Sequence, residues 1–434
     1  MKQFVFRGML LLCLLSIHMY IVAQGSNTLY PEIGKPLPAF VLENIQQYSK
    51  KTITGQSQQG RHFILDFFSS GCTSCVQAFP KTNKLYATFK NQLDIILVGK
   101  EDKYIKPMYE KYRQKQQLQL PVAFDSALCG QWVPQGYPHL IWVDEKGIVK
   151  AVTTSSELTE ENIRSFIAGN NFSYLDRSEA ATAAREKNSA NAIDSFKAND
   201  ANVLSASILS RWDGKSDQAA PDVFYDNQQQ FESRCMLLQW LYNLAYFGKA
   251  SWGPRDSLYE QVLKYPLLQL ADTSAFAFDF NTAKGLYNYS QVVPANKVAI
   301  PYRQQLLQDD LKKTFGYTTT IEVRKLPVWK LVARDGANEL LKTKGGKRSL
   351  SSVIPHTNYK CINTPVIDLI SLIWSYHQEE PAFIDATGIT GNIDIDMDCL
   401  ITDMDDIRKL LQKNKLDLVR GEKEMKVLVI RDAR

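Results

Sequence analysis

The chain has 434 residues, 44% of them hydrophobic and 22% charged, and carries a formal net charge of +5. That balance excludes a disordered chain, and the length calls for two or three domains rather than one. So small and dispersed a positive charge is no nucleic-acid footprint, and the sequence shows neither a solenoid-length repeat nor a long single-sign block.

Lys2 and Arg7 precede an apolar run over residues 9–23, after which the chain turns polar at Gln24. This order predicts a secretory signal peptide over residues 1–24, cleaved near Ala23 or Gln24. The alternative is a retained membrane anchor. A lipoprotein attachment through Cys13 fits less well, because it would leave apolar residues behind the modified cysteine. No later segment is apolar enough to span a bilayer. In an exported chain the remaining cysteines, Cys72, Cys75, Cys129, Cys235, Cys361 and Cys399, become candidates for disulfides or a catalytic dithiol.

The aromatic run RHFILDFFSS predicts a buried strand, and VQAFPKTNKLYATFKNQ, with Phe79, Leu85 and Phe89 near helical spacing, predicts a helix. Between them lies GCTSC. Cys72 and Cys75 could be half a zinc site, a redox dithiol or a structural staple. No second Cys-x-x-Cys or His pair follows at a usable spacing, which disfavours zinc. At a helix N-terminus the exposed amides and the helix dipole favour a thiolate, so Cys72 is the candidate nucleophile and Cys75 the resolving thiol. Next come a buried strand over residues 93–100 and a helix over 103–116 with Pro107 in its first turn. A short strand over 121–125 leads into a loop through Cys129. HLIWVDEKGIVKAV predicts a hairpin turning at residues 144–147, and ELTEENIRSFIAG a helix capped by Thr159. Strands alternating with helices and closing on a hairpin and a helix indicate an α/β fold with a central mixed sheet.

These residues resemble the thioredoxin superfamily, and within it the exported TlpA/ResA-like thiol–disulfide oxidoreductases, over roughly residues 29–169, within a domain expected over 25–172. The resemblance implies several roles. Asp66, six residues before Cys72, matches a buried carboxylate that relays a proton to the resolving cysteine. Pro80 matches a kink in the first helix, and Pro138 a cis-proline packed against the dithiol, while His139 follows as a packing or thiol-perturbing residue. The stretch over 95–125 looks like the insertion of TlpA-like members, and Glu101 within it resembles an acidic residue used near the site. The chain departs from the family in having Gly71 where a Trp usually precedes the first cysteine, and Thr73 and Ser74 as the intervening dipeptide. That dipeptide helps set the potential in the family, so the redox direction is left open.

Residues 178–202, rich in Ala, Asn, Lys and Glu, predict a helical linker within a boundary segment over 173–226. Beyond it an α+β domain is expected over 227–434. CMLLQWLYNLAYFG predicts a buried helix from Cys235 to Gly248, and RQQLLQDDLKKTFGY a helix stopped by Gly316. TTTIEVRKLPVWKLVARDG predicts a strand pair. NIDIDMD predicts a half-buried strand rather than a calcium loop. The C-terminus predicts an amphipathic helix followed by strands. RKLPVWKLVARDG, FIDATGITGNIDIDM and the closing KVLVIRDA resemble the "soil-associated" exported bacterial proteins, a family without assigned function. They are also similar to the short N-terminal domains of secretins and TonB-dependent receptors, which implies envelope protein contacts. Cys361 and Cys399 are candidates for a bridge within this domain.

The expected function is exported thiol–disulfide exchange, located in the periplasm or cell envelope, through the set Cys72, Cys75, Asp66, Pro138 and Glu101. It needs no cofactor and no metal. Its partners would be protein disulfides or dithiols and a membrane-linked thiol electron donor, with no nucleic acid. The alternatives are a non-catalytic thioredoxin-like scaffold whose C-terminal half mediates envelope contacts, and a peroxiredoxin-type peroxidase. The second is disfavoured because the segment lacks a Pro/Thr-rich cysteine loop and its Arg partner.

Overall fold

The computed structural model describes residues 30–133, 136–178, 181, 204–212, 224, 229–279 and 282–433. The signal peptide and most of the helical linker lie outside them. No helix among the described residues is long and apolar enough to cross a membrane.

The first region is built on a five-stranded mixed sheet. Its strands are β3 (His62–Phe68), β4 (Leu93–Gly99), β5 (Val122–Phe124), β6 (His139–Val143) and β7 (Val149–Thr153), ordered β5-β4-β3-β6-β7. β3, β4 and β5 run parallel, and β6 and β7 are antiparallel. A two-stranded ladder, β1 (Val41–Leu42) with β2 (Ile53–Thr54), precedes it. β3 and β4 are buried almost throughout, the continuous apolar pattern of strands covered on both faces. Helix α1 (Thr73–Phe89) contains Pro80, and α2 (Ile105–Gln116) ends on Gln117 in the left-handed conformation. α4 (Glu160–Ile167) is capped by Thr159, whose side chain accepts from the Asn162 N–H. The expected loop through Cys129 is instead a helix, α3 (Ser126–Trp132). Asp125 caps it by accepting the Leu128 N–H at 2.8 Å, a start signal that the short span concealed.

Among the described residues the second region has three further sheets. β8 (Ala206–Arg211), β11 (Leu286–Val292) and β9 (Gln230–Leu237) form one, so part of the expected linker is a strand. The expected helix from Cys235 begins later, as α5 (Leu238–Phe247), because residues 235–237 complete β9. Cys235 itself takes φ 57°, and Gly248 stops the helix. α6 (Ile300–Phe315) stops at Gly316 as expected. A second sheet joins β13 (Ser349–Ile354), β14 (Asn358–Thr364) and β16 (Ile393–Asp398), backed by α8 (Val366–Tyr376) and α9 (Met404–Lys413). In β16, Ile393, Ile395 and Met397 point inward and Asp396 and Asp398 outward, the half-buried strand that alternation predicts.

The expected strand pair and the expected C-terminal strands are each one long strand, β12 (Thr318–Ala333) and β17 (Leu416–Arg431), paired antiparallel along their whole length. β10 (Leu267–Gln269) and β15 (Phe383–Ala386) flank this ribbon, and α7 (Ala337–Leu341) follows β12. Pro327 lies inside β12 without breaking it. The Trp329 N–H donates to Ala382 O, on the β15 side, and two residues earlier the Pro327 nitrogen faces the same edge. The ladder with β15 begins only at Trp329, so no bond is lost. The ribbon joins two cores: Leu428 and Ile430 pack with α5 and α6, while Leu331, Leu416 and Leu418 pack with α8 and α9.

Candidate redox site

β3 delivers the chain through Ser69, Ser70 and Gly71 to the start of α1, where Cys72 is the capping residue. Its φ of −86° and ψ of 95° lie outside the helix, and its Sγ accepts the Cys75 N–H at 3.2 Å. The sulfur thus takes the place of the usual capping oxygen and faces the positive end of the helix. Cys72 and Cys75 are joined as a disulfide, their Cα atoms 5.3 Å apart. Cys72 is 9% exposed and Cys75 3%, so an incoming sulfur reaches Cys72 first. The Ser74 hydroxyl lies 3.6 Å from Cys72 Sγ. A side chain added at Gly71 would meet nothing within 4 Å, so the position preceding the dithiol is open.

Asp66 sits in β3 between Leu97 of β4 and Leu140 of β6. It is buried, and burial alone pushes its carboxyl up to about 7. Pro138 follows a cis Tyr137–Pro138 peptide immediately before β6. The Tyr137 ring packs against the same core cluster that holds Cys72 and Cys75. His139 is a packing residue: buried, edge-on to Phe67, with the Tyr30 hydroxyl 3.4 Å from Nε2. Burial, together with the positive charge of Arg177, lowers its pKa to about 4. Cys129 forms no mixed disulfide. It is a buried free thiol, pushed up to about 12 by burial.

Glu101 is exposed and ion-paired with Lys106. The acid that contacts the loop before Cys72 is its neighbour Asp102, which accepts from Ser70 Oγ at 2.5 Å. Asp102 also accepts the N–H groups of Tyr104 and Ile105 at 2.7 and 2.8 Å, tying that loop to the start of α2. An acid just ahead of a helix start was the available signal.

Cys361 and Cys399, the candidates for a bridge, are both free and buried. Sheet register explains this. Cys361 stands opposite Ile395, four residues before Cys399, or roughly 13 Å along the strand, against the 7 Å limit for a disulfide.

A set of contacts that sequence reasoning missed comes from the second region. Gln77 Nε2 donates to Tyr376 O at 3.0 Å, and Lys111 Nζ donates to Thr357 O at 2.9 Å while pairing with Asp398. The Tyr112 hydroxyl lies 3.0 Å from Thr402 Oγ1, and Lys115 pairs with Asp406. Leu400 is part of the core that holds both site cysteines, and Ile354 packs against it. No local pattern marks these partners, which lie hundreds of residues apart in sequence.

No family model matches the chain. The thioredoxin-like protein YneN of Bacillus subtilis is 23% identical over 125 residues, covering 26% of this chain and 71% of that protein. Among solved structures, the thioredoxin domain of a thiol-disulfide oxidoreductase from Bacteroides vulgatus is 19% identical with a TM-score of 0.26. It covers 32% of this chain and 96% of its own. The exposed lipoprotein thioredoxin of Streptococcus pneumoniae is 17% identical with a TM-score of 0.26, covering 30% of this chain and 98% of its own. The first region has a thioredoxin-like fold, read from its own strand order, its cis-proline and a dithiol at the N-terminus of α1.

Proposed function

We propose that the chain is an exported thiol–disulfide oxidoreductase of the TlpA/ResA type that exchanges disulfides with envelope proteins, its second region serving as an accessory domain. The observation that carries this reading is the Cys72–Cys75 disulfide at the start of α1, with Cys72 the more exposed sulfur and a buried, protonatable Asp66 in the strand that leads to it. The apolar N-terminal run supports export.

In the reducing direction the Cys72 thiolate attacks one sulfur of a substrate disulfide. A mixed disulfide forms and the first substrate thiolate leaves. Asp66, with its carboxyl poised near neutrality, takes the proton of the Cys75 thiol. The Cys75 thiolate then attacks Cys72 Sγ, and the second substrate thiolate leaves. Two electrons have passed to the substrate and the Cys72–Cys75 bond is closed. A thiol electron donor linked to the membrane would reopen it by the same steps in reverse, so no soluble cofactor enters. Pro138 shapes the groove in which the substrate strand lies. Glu101, exposed and paired with Lys106, has no contact that gives it a step.

The test is trapping in the native envelope. Cys75→Ser is expected to hold a mixed disulfide through Cys72 that mass spectrometry identifies, and Cys72→Ser to abolish exchange. A pair that stays oxidised in dithiothreitol, or full exchange activity in the double cysteine variant, overturns the reading.

A further inference from the structure

We propose that Tyr376, held by His356 and Tyr359, is a positioning residue for the dithiol: it grips the Cys72 turn from outside the thioredoxin-like region and biases the balance between disulfide and dithiol. The proposal rests on the redox reading above.

Tyr376 is the last residue of α8. Its hydroxyl lies 2.7 Å from His356 Nδ1 and 2.7 Å from the Tyr359 hydroxyl, which in turn accepts the His356 backbone N–H at 3.2 Å. Burial lowers the His356 pKa to about 4, so the ring is neutral. The neutral ring carries its proton on Nδ1 or Nε2, and the Tyr376 hydroxyl partners Nδ1 in both tautomers, as acceptor or as donor. That Nε2 is buried and faces the backbone of Ser70 without reaching full hydrogen-bond geometry. The Thr73 side chain stands against the Tyr376 hydroxyl, and Gln77 Nε2 holds the Tyr376 carbonyl.

The contacts therefore fall on residues 70, 73 and 77, bracketing Cys72 and Cys75. Ser70 is fixed from its other side by Asp102. Thr73 is half of the dipeptide between the cysteines, so a contact to that dipeptide is supplied by α8, far along the chain. A contact made more strongly in one redox form shifts the equilibrium toward that form by its differential strength, and by linkage the redox state alters the contact equally. The form gripped here is the disulfide. Loss of the Tyr376 hydroxyl is therefore expected to favour the dithiol, by about threefold, the scale of one hydrogen bond.

The experiment equilibrates the full chain with oxidised and reduced dithiothreitol and counts free Cys72 and Cys75 thiols after acid quench and alkylation. Tyr376→Phe is expected to move the equilibrium constant about threefold toward the dithiol. Gln77→Ala, at an exposed position where folding is not at stake, is expected to shift it in the same direction. Lys115→Ala removes an ion pair of the same interface away from the turn and is expected to leave the constant unchanged. A wild-type pair that cycles, with Gln77→Ala and any folded Tyr376→Phe protein both at the wild-type constant or shifted toward the disulfide, overturns the grip alone. A wild-type pair that cannot be reduced overturns the redox reading itself.

Discussion

Asp66→Asn separates the charge of the buried carboxylate from its shape. In the folded chain burial raises this carboxyl from 3.8 to about 7. Below the unfolded value both states are protonated and burial carries no ionic cost. As pH rises the unfolded chain ionises first, so stability is lost from about pH 4 to about pH 7 and then levels off. A shift of about three pH units at 1.36 kcal/mol each sets the full loss near 4 kcal/mol. Of this, about 2.5 kcal/mol falls between pH 5 and pH 8. Asn cannot ionise, so the variant minus wild-type difference isolates this group from every other titrating residue. A chain with several cores need not unfold in one step, so the measurement is hydrogen exchange of the slowest amides of β3 and β4. The expected result is a variant that gains about 2.5 kcal/mol relative to wild type between pH 5 and pH 8. It should also exchange disulfides about a hundredfold more slowly, the loss of one positioned proton acceptor. A difference that stays constant across that pH range would refute the reasoning, because it would place the carboxyl at its ordinary value.

Cys129, Cys235, Cys361 and Cys399 are all buried, with burial raising each thiol to about 11 or 12. Iodoacetamide at pH 8 is expected to leave all four unlabelled in the native chain and to label all four after unfolding without reductant; a Cys361–Cys399 peptide in a non-reducing digest would contradict the register. Asp368 in α8 is buried and bridges Arg255 at 2.8 Å and Arg348 at 2.6 Å. Asp368→Asn should cost about 1–3 kcal/mol rather than more, because both arginines are over half exposed and return to water. The cost is read from thermal unfolding of the unit containing α8, and an unchanged midpoint would show the bridge to be idle.

What the sequence disclosed is what local physics writes into neighbouring residues. The apolar runs of β3 and β4, the caps at Thr159 and Gly316 and the placement of Cys72 at a helix start are each decided within a few residues. The single strand β12 was hidden because whether Pro327 breaks a ladder depends on which edge its nitrogen faces, and that depends on where β15 begins. The pairing of Cys361 and Cys399 was open in the sequence for the same kind of reason, since register and not composition sets their separation. The site follows this division. Cys72, Cys75, Asp66 and Pro138 are legible because their spacing along the chain is the signal. Spacing does not separate Glu101 from its neighbour Asp102, whereas the Ser70 hydroxyl singles out Asp102 as the acid bound to the turn before Cys72. The sequence placed Gly71, Thr73 and Ser74 where potential-setting neighbours belong and left their effect open. Tyr376 of α8 stands against that turn, held by His356 and Tyr359, so the surroundings of the turn are divided between two distant parts of the chain and no short window could contain them.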